Sequence, residues 1–235
     1  MTETFPTILL TRPRAQSERF AGMLRRSIPP QVRILISPIL EIRPLPATVP
    51  AERPAFLVLT SAHAAETIEV APNLQGVTAY CVGEATAAAA RGAGAQAIPA
   101  GGTATDLVAR IEGDAPAGRG LYLRGRHVSA DLAQMLAVSG INVASLAVYD
   151  QVPLPLTDEA RSLLEGPGTV VLPVFSARSA RLLADACRGA AAQVAVAAMS
   201  GQVAAQWPAK DEVAAVAPAP TAEGMAKAVV ACLAG

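Results

Sequence analysis

Hydroxyl residues recur where short apolar runs give way to helical stretches: Ser61, Thr86, Thr103, Ser176, Ser200 and Thr221. Serine and threonine are good helix N-caps, because the side-chain oxygen accepts a free N–H of the first turn. That role alone accounts for any one of them. Six at matched places imply more. If the apolar runs are parallel strands, these residues stand at the carboxyl ends of the sheet, where open α/β folds bind ligands. Helix N-termini there offer unsatisfied N–H groups and partial positive charge, which suits an anion. Each end is worth about 0.3–1 kcal/mol, so six supply roughly 2–6 kcal/mol, whereas micromolar affinity needs about 8 kcal/mol. Arginines and buried contact must supply the rest. Arg12 and Arg14 follow the first apolar run, Arg124 and Arg126 follow residues 121–124, and Arg178 falls in the first turn after Ser176. Each of these reads either as solvated surface charge or as an anion ligand. Tyr149 ends an apolar run at the start of a proline-rich segment. Composition makes it a packing residue; its place at a crossing between domains gives it a possible part in chemistry.

The common catalytic signatures are missing from the sequence. There is no Gly-x-x-x-x-Gly-Lys-Ser/Thr loop, no Gly-x-Gly-x-x-Gly and no Gly-x-Ser-x-Gly elbow. The two histidines, His63 and His127, have no acidic cluster at ligand spacing, so neither a metal site nor a histidine-based triad is expected. Cys81, Cys187 and Cys232 lie too far apart for a metal knuckle and are odd in number for a disulfide framework. They read as small core residues. Chemistry in this chain must draw little on side chains.

Hydrophobic residues make up 52% of the 235, which excludes a disordered chain. Aromatics are 3%, so the core must be built from Ala, Val, Leu and Ile, with helices close on sheets. Nineteen basic and 19 acidic residues cancel, which argues against bulk binding to nucleic acid or an anionic membrane. No apolar run reaches the roughly 20 residues of a bilayer span. Residues 1–6 show no basic region followed by an apolar one, so no signal peptide is expected. The expectation is a soluble cytoplasmic protein.

Strand-like runs at residues 7–11, 32–37, 56–59, 77–82, 121–124, 142–149, 169–172, 194–197 and 213–216 alternate with helical stretches. The helices are expected at 15–27, 62–70, 84–93, 129–139, 177–188, 201–206 and 222–233. This alternation predicts parallel sheets with helices on both faces, and continuous apolar runs are what doubly buried parallel strands require. Two proline-rich extended segments, 37–46 and 148–155, break the rhythm and read as a pair of crossings between domains. An internal repeat supports that division. Leu59-Thr60-Ser61-Ala62 resembles Val174-Phe175-Ser176-Ala177, and Thr86 and Thr103 are echoed by Ser200 and Thr221. The steps are 25 and 17 residues in the first copy and 24 and 21 in the second. The expected fold is α/β: two flavodoxin-like parallel-sheet domains joined by a two-stranded linker, the first domain discontinuous. That domain takes residues 1–36 and 154–235, the second takes 43–148, and the linkers take 37–42 and 149–153. Such a pair of crossings makes a hinge with a cleft.

Several segments together resemble the uroporphyrinogen-III synthase family: Thr11-Arg12-Pro13, Leu59-Thr60-Ser61-Ala62, Val82-Gly83-Glu84-Ala85-Thr86, Leu123-Arg124-Gly125, Ala147-Val148-Tyr149, Phe175-Ser176-Ala177-Arg178 and Ala219-Pro220-Thr221. They keep the family's order over nearly the whole chain, and depart from its usual residues at His63, Ala177 and Met199-Ser200-Gly201. The resemblance implies a cyclising lyase that closes hydroxymethylbilane, a linear tetrapyrrole with acetate and propionate groups, into uroporphyrinogen III. It implies inversion of the last ring (ring D) through a spiro intermediate, loss of water, no cofactor, and a site in the inter-domain cleft. Tyr149 matches the tyrosine proposed to assist loss of the hydroxyl. Ser61, Thr86, Ser176 and Thr221 match positions around the cleft, and Arg12, Thr103, Arg124 and Ser200 complete the expected substrate-binding set. The expected partner is the small-molecule substrate, with the chain a monomer in transient contact with the preceding enzyme of the pathway. The competing reading is a non-enzymatic hinged α/β protein that binds an anionic small molecule; a flavodoxin-like cofactor carrier is disfavoured by the scarcity of aromatics.

Overall fold

The computed structural model describes residues 5–128 and 131–234. The expectation about residues 1–4 lies outside them, as do the first two residues of the helix expected at 129–139. The chain divides into two compact units, one comprising the chain up to Glu41 and again from Val152, the other Ile42–Gln151.

The first unit is built on β1 (Thr7–Leu10), β2 (Arg33–Ile36) and, after the second unit, three more strands. Among the described residues, the second unit and its crossings use β3 (Leu40–Pro44), β4 (Phe56–Leu59), β5 (Thr78–Cys81), β6 (Gln96–Pro99), β7 (Gly120–Gly125) and β8 (Val143–Pro153). The return to the first unit adds β9 (Thr169–Val174), β10 (Gln193–Ala198) and β11 (Val213–Val216). In the first unit the spatial order is β11-β10-β9-β1-β2, all parallel. Numbered by their order in the chain, these strands run 2-1-3-4-5 across the sheet, the flavodoxin-like order. Residues before position 37 therefore supply the strands that the C-terminal half lacks.

The second sheet runs β3-β8-β7-β4-β5-β6, with the five strands from β8 to β6 parallel. Laid over the first sheet, β4, β5 and β6 take the places of β9, β10 and β11, and β7 and β8 those of β1 and β2. The spatial arrangement is the same and the chain order is permuted.

The central strands are apolar on both sides because helices cover both faces. In the first unit Leu9, Leu172, Val174 and Val196 pack with α6 (Asp158–Glu165), α7 (Ala177–Ala186) and Trp207. The alternate residues Ile8, Leu10, Val171 and Ala197 face Phe20 and Leu24 of α1 (Arg14–Leu24) and Met225 and Val229 of α9 (Ala222–Ala234). In the second unit Leu57, Leu59, Ala79 and Leu123 meet α2 (Ala65–Val70) and α3 (Glu84–Gly92), where Ala87 and Ala90 are wholly buried and let the helix lie close. Phe56, Val58, Tyr80 and Tyr122 meet α4 (Ala104–Asp114) and α5 (Leu132–Val138). The short α8 (Gly201–Ala204) completes the first unit.

The proline-rich segments hold more regular structure than their composition suggests. Leu40–Pro44 is a strand at the sheet edge, where a missing N–H is tolerated, and Val143–Pro153 is one continuous strand.

Candidate active site at the carboxyl ends of the strands

In the second unit, β7 and β4 meet at the point where the strand order reverses, and their carboxyl ends gather most of the chemistry. β4 ends at Leu59; Thr60 and Ser61 follow, and Ser61 in extended conformation (φ −152°, ψ 142°) caps a 3-10 turn over Ala62–Ala64. Its Oγ accepts from the His63 N–H at 3.4 Å. Tyr149 reaches the same spot from β8. Burial raises the phenol's pKa, and a hydrogen bond with the Ser61 side chain works against that rise. The His63 ring lies edge-on to the Tyr149 ring, centroids 5.6 Å apart at 60°.

A local irregularity seats Tyr149. β7 and β8 pair in register up to Arg124↔Ala147; the next pair is Gly125↔Tyr149, so Val148 is an extra residue. A regular strand would turn Val148 and Tyr149 to opposite faces, yet both are buried in the same cluster, as a bulge allows. The Tyr149 ring then lies against Gly125, where a β-carbon would come within 2.8 Å of it.

The turn after β7 is fastened to β8. Arg126 N–H donates to the Tyr149 carbonyl at 2.8 Å. The Asp150 carboxylate receives Arg126 Nη1 at 2.8 Å, with His127 Nε2 at 3.4 Å. Arg124 folds back on its own turn, Nη1 donating to the carbonyls of Gly125 (3.0 Å) and Arg126 (3.4 Å). Beside them the Thr60 and Tyr122 hydroxyls are 3.0 Å apart. Burial raises the Tyr122 pKa, and the Thr60 hydrogen bond opposes the rise.

The first unit repeats this plan with different residues. Its reversal lies between β1 and β9. The register Ile8↔Val171, continued upward, sets Arg12 opposite Phe175, and the guanidinium carbon stands 4.2 Å from the Phe175 ring centroid. The register Leu59↔Leu123, continued one step, sets Arg124 opposite Thr60. Arg12 and Arg124 are thus counterparts, each beside a capping serine. Burial, with the nearby Arg19 charge, pushes Arg12 down to about 10. Ser176 caps α7, its Oγ accepting from Ser179 N–H at 3.1 Å and lying 2.9 Å from the Ser179 hydroxyl. Arg178 is in the first turn of α7.

The remaining expected ligands divide by role. Ser200 accepts from Val203 N–H at 3.3 Å, and Thr221 from Gly224 N–H at 3.0 Å. Thr103 forms a full capping box with Asp106. Thr86 is buried inside α3, whose N-cap is Gly83, so the residue that matches Ser200 is Gly83 and not Thr86. Ser61, Arg124 and Tyr149 are brought to one strand end of the second unit, and Arg12 and Ser176 to one of the first. Sequence reading missed Thr60, Tyr122, Gly125 and Asp150. Gly125 between two arginines after an apolar strand was the signal available for the close approach.

Two doubly wound parallel sheets, each with a serine cap and an arginine at its reversal point and one with a buried phenol, define a two-unit α/β protein. The model of the uroporphyrinogen-III synthase HemD family matches residues 31–227, and the chain belongs to that family. Its fold is similar to that of the uroporphyrinogen-III synthetase from Helicobacter pylori 26695, at 16% identity over 97% of this chain and 99% of that one, with a TM-score of 0.69. A mutant uroporphyrinogen III synthase from the extremely thermophilic bacterium Thermus thermophilus is also similar, at 16% identity over 97% and 99%, with a TM-score of 0.56. No curated protein sequence matches the chain.

Proposed function

We propose that this chain is a uroporphyrinogen-III synthase, converting hydroxymethylbilane to uroporphyrinogen III with inversion of ring D and loss of water. Family membership supplies the reaction; the seat of Tyr149 against Gly125, hydrogen-bonded to Ser61, is the observation that carries the chemistry. Burial keeps the phenol protonated through neutral pH, so it is ready to act as an acid. It gives its proton to the departing hydroxyl as the C–O bond breaks, and the bond's electron pair leaves with water. The Ser61 hydroxyl then donates to the phenolate, lowering the cost of the charge. After the spiro intermediate reopens and the macrocycle closes, a ring carbon releases one proton, which restores the phenol. Substrate equals product plus water. Orientation of the bilane does the remaining work, since a well-held chain gains what an intramolecular reaction gains. Arg12, Arg124 and the capping hydroxyls Ser61, Ser176, Ser200 and Thr221 are its carboxylate ligands in this reading, with Thr86 and Thr103 as supporting positions.

The reading includes a cytoplasmic monomer in transient contact with the enzyme that supplies the bilane. Among the described residues no helix is long and apolar enough to cross a membrane.

Incubation with freshly generated hydroxymethylbilane is expected to yield the III isomer; formation of the I isomer alone would remove the reading. Tyr149→Phe is expected to lower kcat about 100-fold with little change in KM, the scale of a lost general acid. Because the acid form is the active one and its pKa is raised, wild-type kcat should hold through pH 8 and fall only above the ordinary phenol range.

A further inference from the structure

We propose that Arg126 is a carboxylate receptor beside Tyr149 and that Asp150 is its positioning residue; this rests on the synthase reading. The Asp150 side chain is 13% exposed, and its carboxylate is met by Arg126 Nη1 at 2.8 Å and by His127 Nε2 at 3.4 Å. One Asp150 oxygen also accepts from the Gln151 N–H at 2.8 Å. Taking a carboxylate out of water is costly, and an ion pair whose other member is exposed returns only about 0–1 kcal/mol, so stability alone explains the arrangement poorly. What it does achieve is direction. The Arg126 backbone is tied to the Tyr149 carbonyl at 2.8 Å, and its side chain, 59% exposed, engages Asp150 through one terminal nitrogen. The guanidinium has five N–H donors in a planar fork. Held at Nη1, it still offers an edge to a second carboxylate, and a fork fixed in advance loses less entropy on binding one.

The turn carries two arginines, Arg124 and Arg126, on either side of Gly125, with Asp150 and Asp131 the carboxylates near them. The equivalent turn of the first unit shows what an unbuilt version looks like. There Arg14 pairs with Glu18 at 3.8 Å, with both side chains more than half exposed on one helix face. The ligand implied by the Asp150–Arg126 pair is a carboxylate arm of the tetrapyrrole, placed near the hydroxyl that Tyr149 protonates.

Charge and position make opposite forecasts for Asp150→Asn, which settles between them. Removing a negative charge should tighten binding of a polyanion if only net charge counts; it should weaken binding if Asp150 aims Arg126. Steady-state rates with fresh hydroxymethylbilane are measured for wild type, Arg126→Gln, Asp150→Asn, Asp150→Glu and the Arg126→Gln/Asp150→Asn pair. Uroporphyrin III, an octacarboxylate that does not react, serves as a calorimetric binding probe. Arg126→Gln is expected to raise KM and the probe Kd about ten-fold, the scale of one charge-assisted contact, with kcat changed less than two-fold. Asp150→Asn should raise KM similarly, Asp150→Glu should recover part of it, and the double variant should be no worse than Arg126→Gln. Unchanged KM and Kd in Arg126→Gln, or a lowered KM in Asp150→Asn, overturns the proposal. If Asp150→Asn fails to fold, Arg126→Gln and Arg126→Lys decide it, lysine lacking the fork. A wild type that neither makes the III isomer nor binds the probe would instead remove the synthase reading.

Discussion

At Gly125 any β-carbon must displace the Tyr149 ring, which lies at 2.8 Å from where that atom would be. Gly125→Ala therefore moves the phenol and leaves Tyr149 itself intact. A shift of about 1 Å at a reacting group costs on the order of 100-fold in rate, so kcat should fall towards that of Tyr149→Phe while the fold persists. Wild-type kcat with a native circular dichroism spectrum in Gly125→Ala would show that the phenol needs no such seat. The residue types here were legible in the sequence, a tyrosine, a serine cap and arginines near strand ends, but Tyr149 does not end its strand: β8 runs on to Pro153. The pairing of these residues was not legible. The extra residue Val148 leaves no mark in an apolar run, because bulged and regular strands have the same composition. Asp150 reads as a linker residue until the turn after β7 is seen to lie across it. Thr60 and Tyr122, whose hydroxyls are 3.0 Å apart, stand 62 positions apart in the chain.

The elements that hold these residues are fixed by caps, and the cap at Thr103 is the most complete. Its Oγ accepts from Asp106 N–H at 3.1 Å, and the Asp106 carboxylate receives the Thr103 hydroxyl (2.7 Å) and N–H (3.0 Å). Both side chains are spent on the start of α4. Thr103→Ala should therefore cost the second unit about 1 kcal/mol, the usual value for such a cap, read from urea unfolding followed by tyrosine emission. Thr103→Ser should recover most of it. A rise in KM with no loss of stability would mark Thr103 as a ligand instead of a cap. At this scale the strand–helix alternation was legible because apolar runs of strand length stand between alanine-rich helices. Four elements were hidden, among them α4, of which the sequence showed only the Thr103 cap. Prolines disguised the edge strand Leu40–Pro44, since proline is excluded from sheet interiors but not from edges. The helix Asp158–Glu165 is mostly polar and follows a proline-rich stretch, so no helix was expected there. Gln96–Pro99 is a short edge strand whose alanine and proline carry little β signal. The repeat was legible in its first and last members, whereas Thr86 drew the middle pairing three residues away from Gly83, a cap without a side chain to recognise.

Across the whole molecule, two sheets have the same spatial order and separate cores on both of their faces. The chain supplies a probe for each: the single tryptophan, Trp207, is wholly buried in the first unit, and the three tyrosines, Tyr80, Tyr122 and Tyr149, are all in the second. The first unit is interrupted between Glu41 and Val152. Were the second unit to unfold alone, the first would have to close a long flexible loop, but that cost grows only about 0.6 kcal/mol per doubling of loop length. The interruption is therefore no bar to separate melting, and each unit retains the apolar faces that stabilise it. Urea unfolding should show Trp207 emission, excited where tyrosine does not absorb, and tyrosine emission with different midpoints. Each slope should be smaller than that of a single cooperative unit of 235 residues, because the slope follows the surface exposed in each step. Thr103→Ala sharpens the test: it should move the tyrosine transition and leave the tryptophan transition in place. Coincident midpoints that shift together in the variant would show one cooperative molecule, and the permuted sheets would then share their stability as well as their plan.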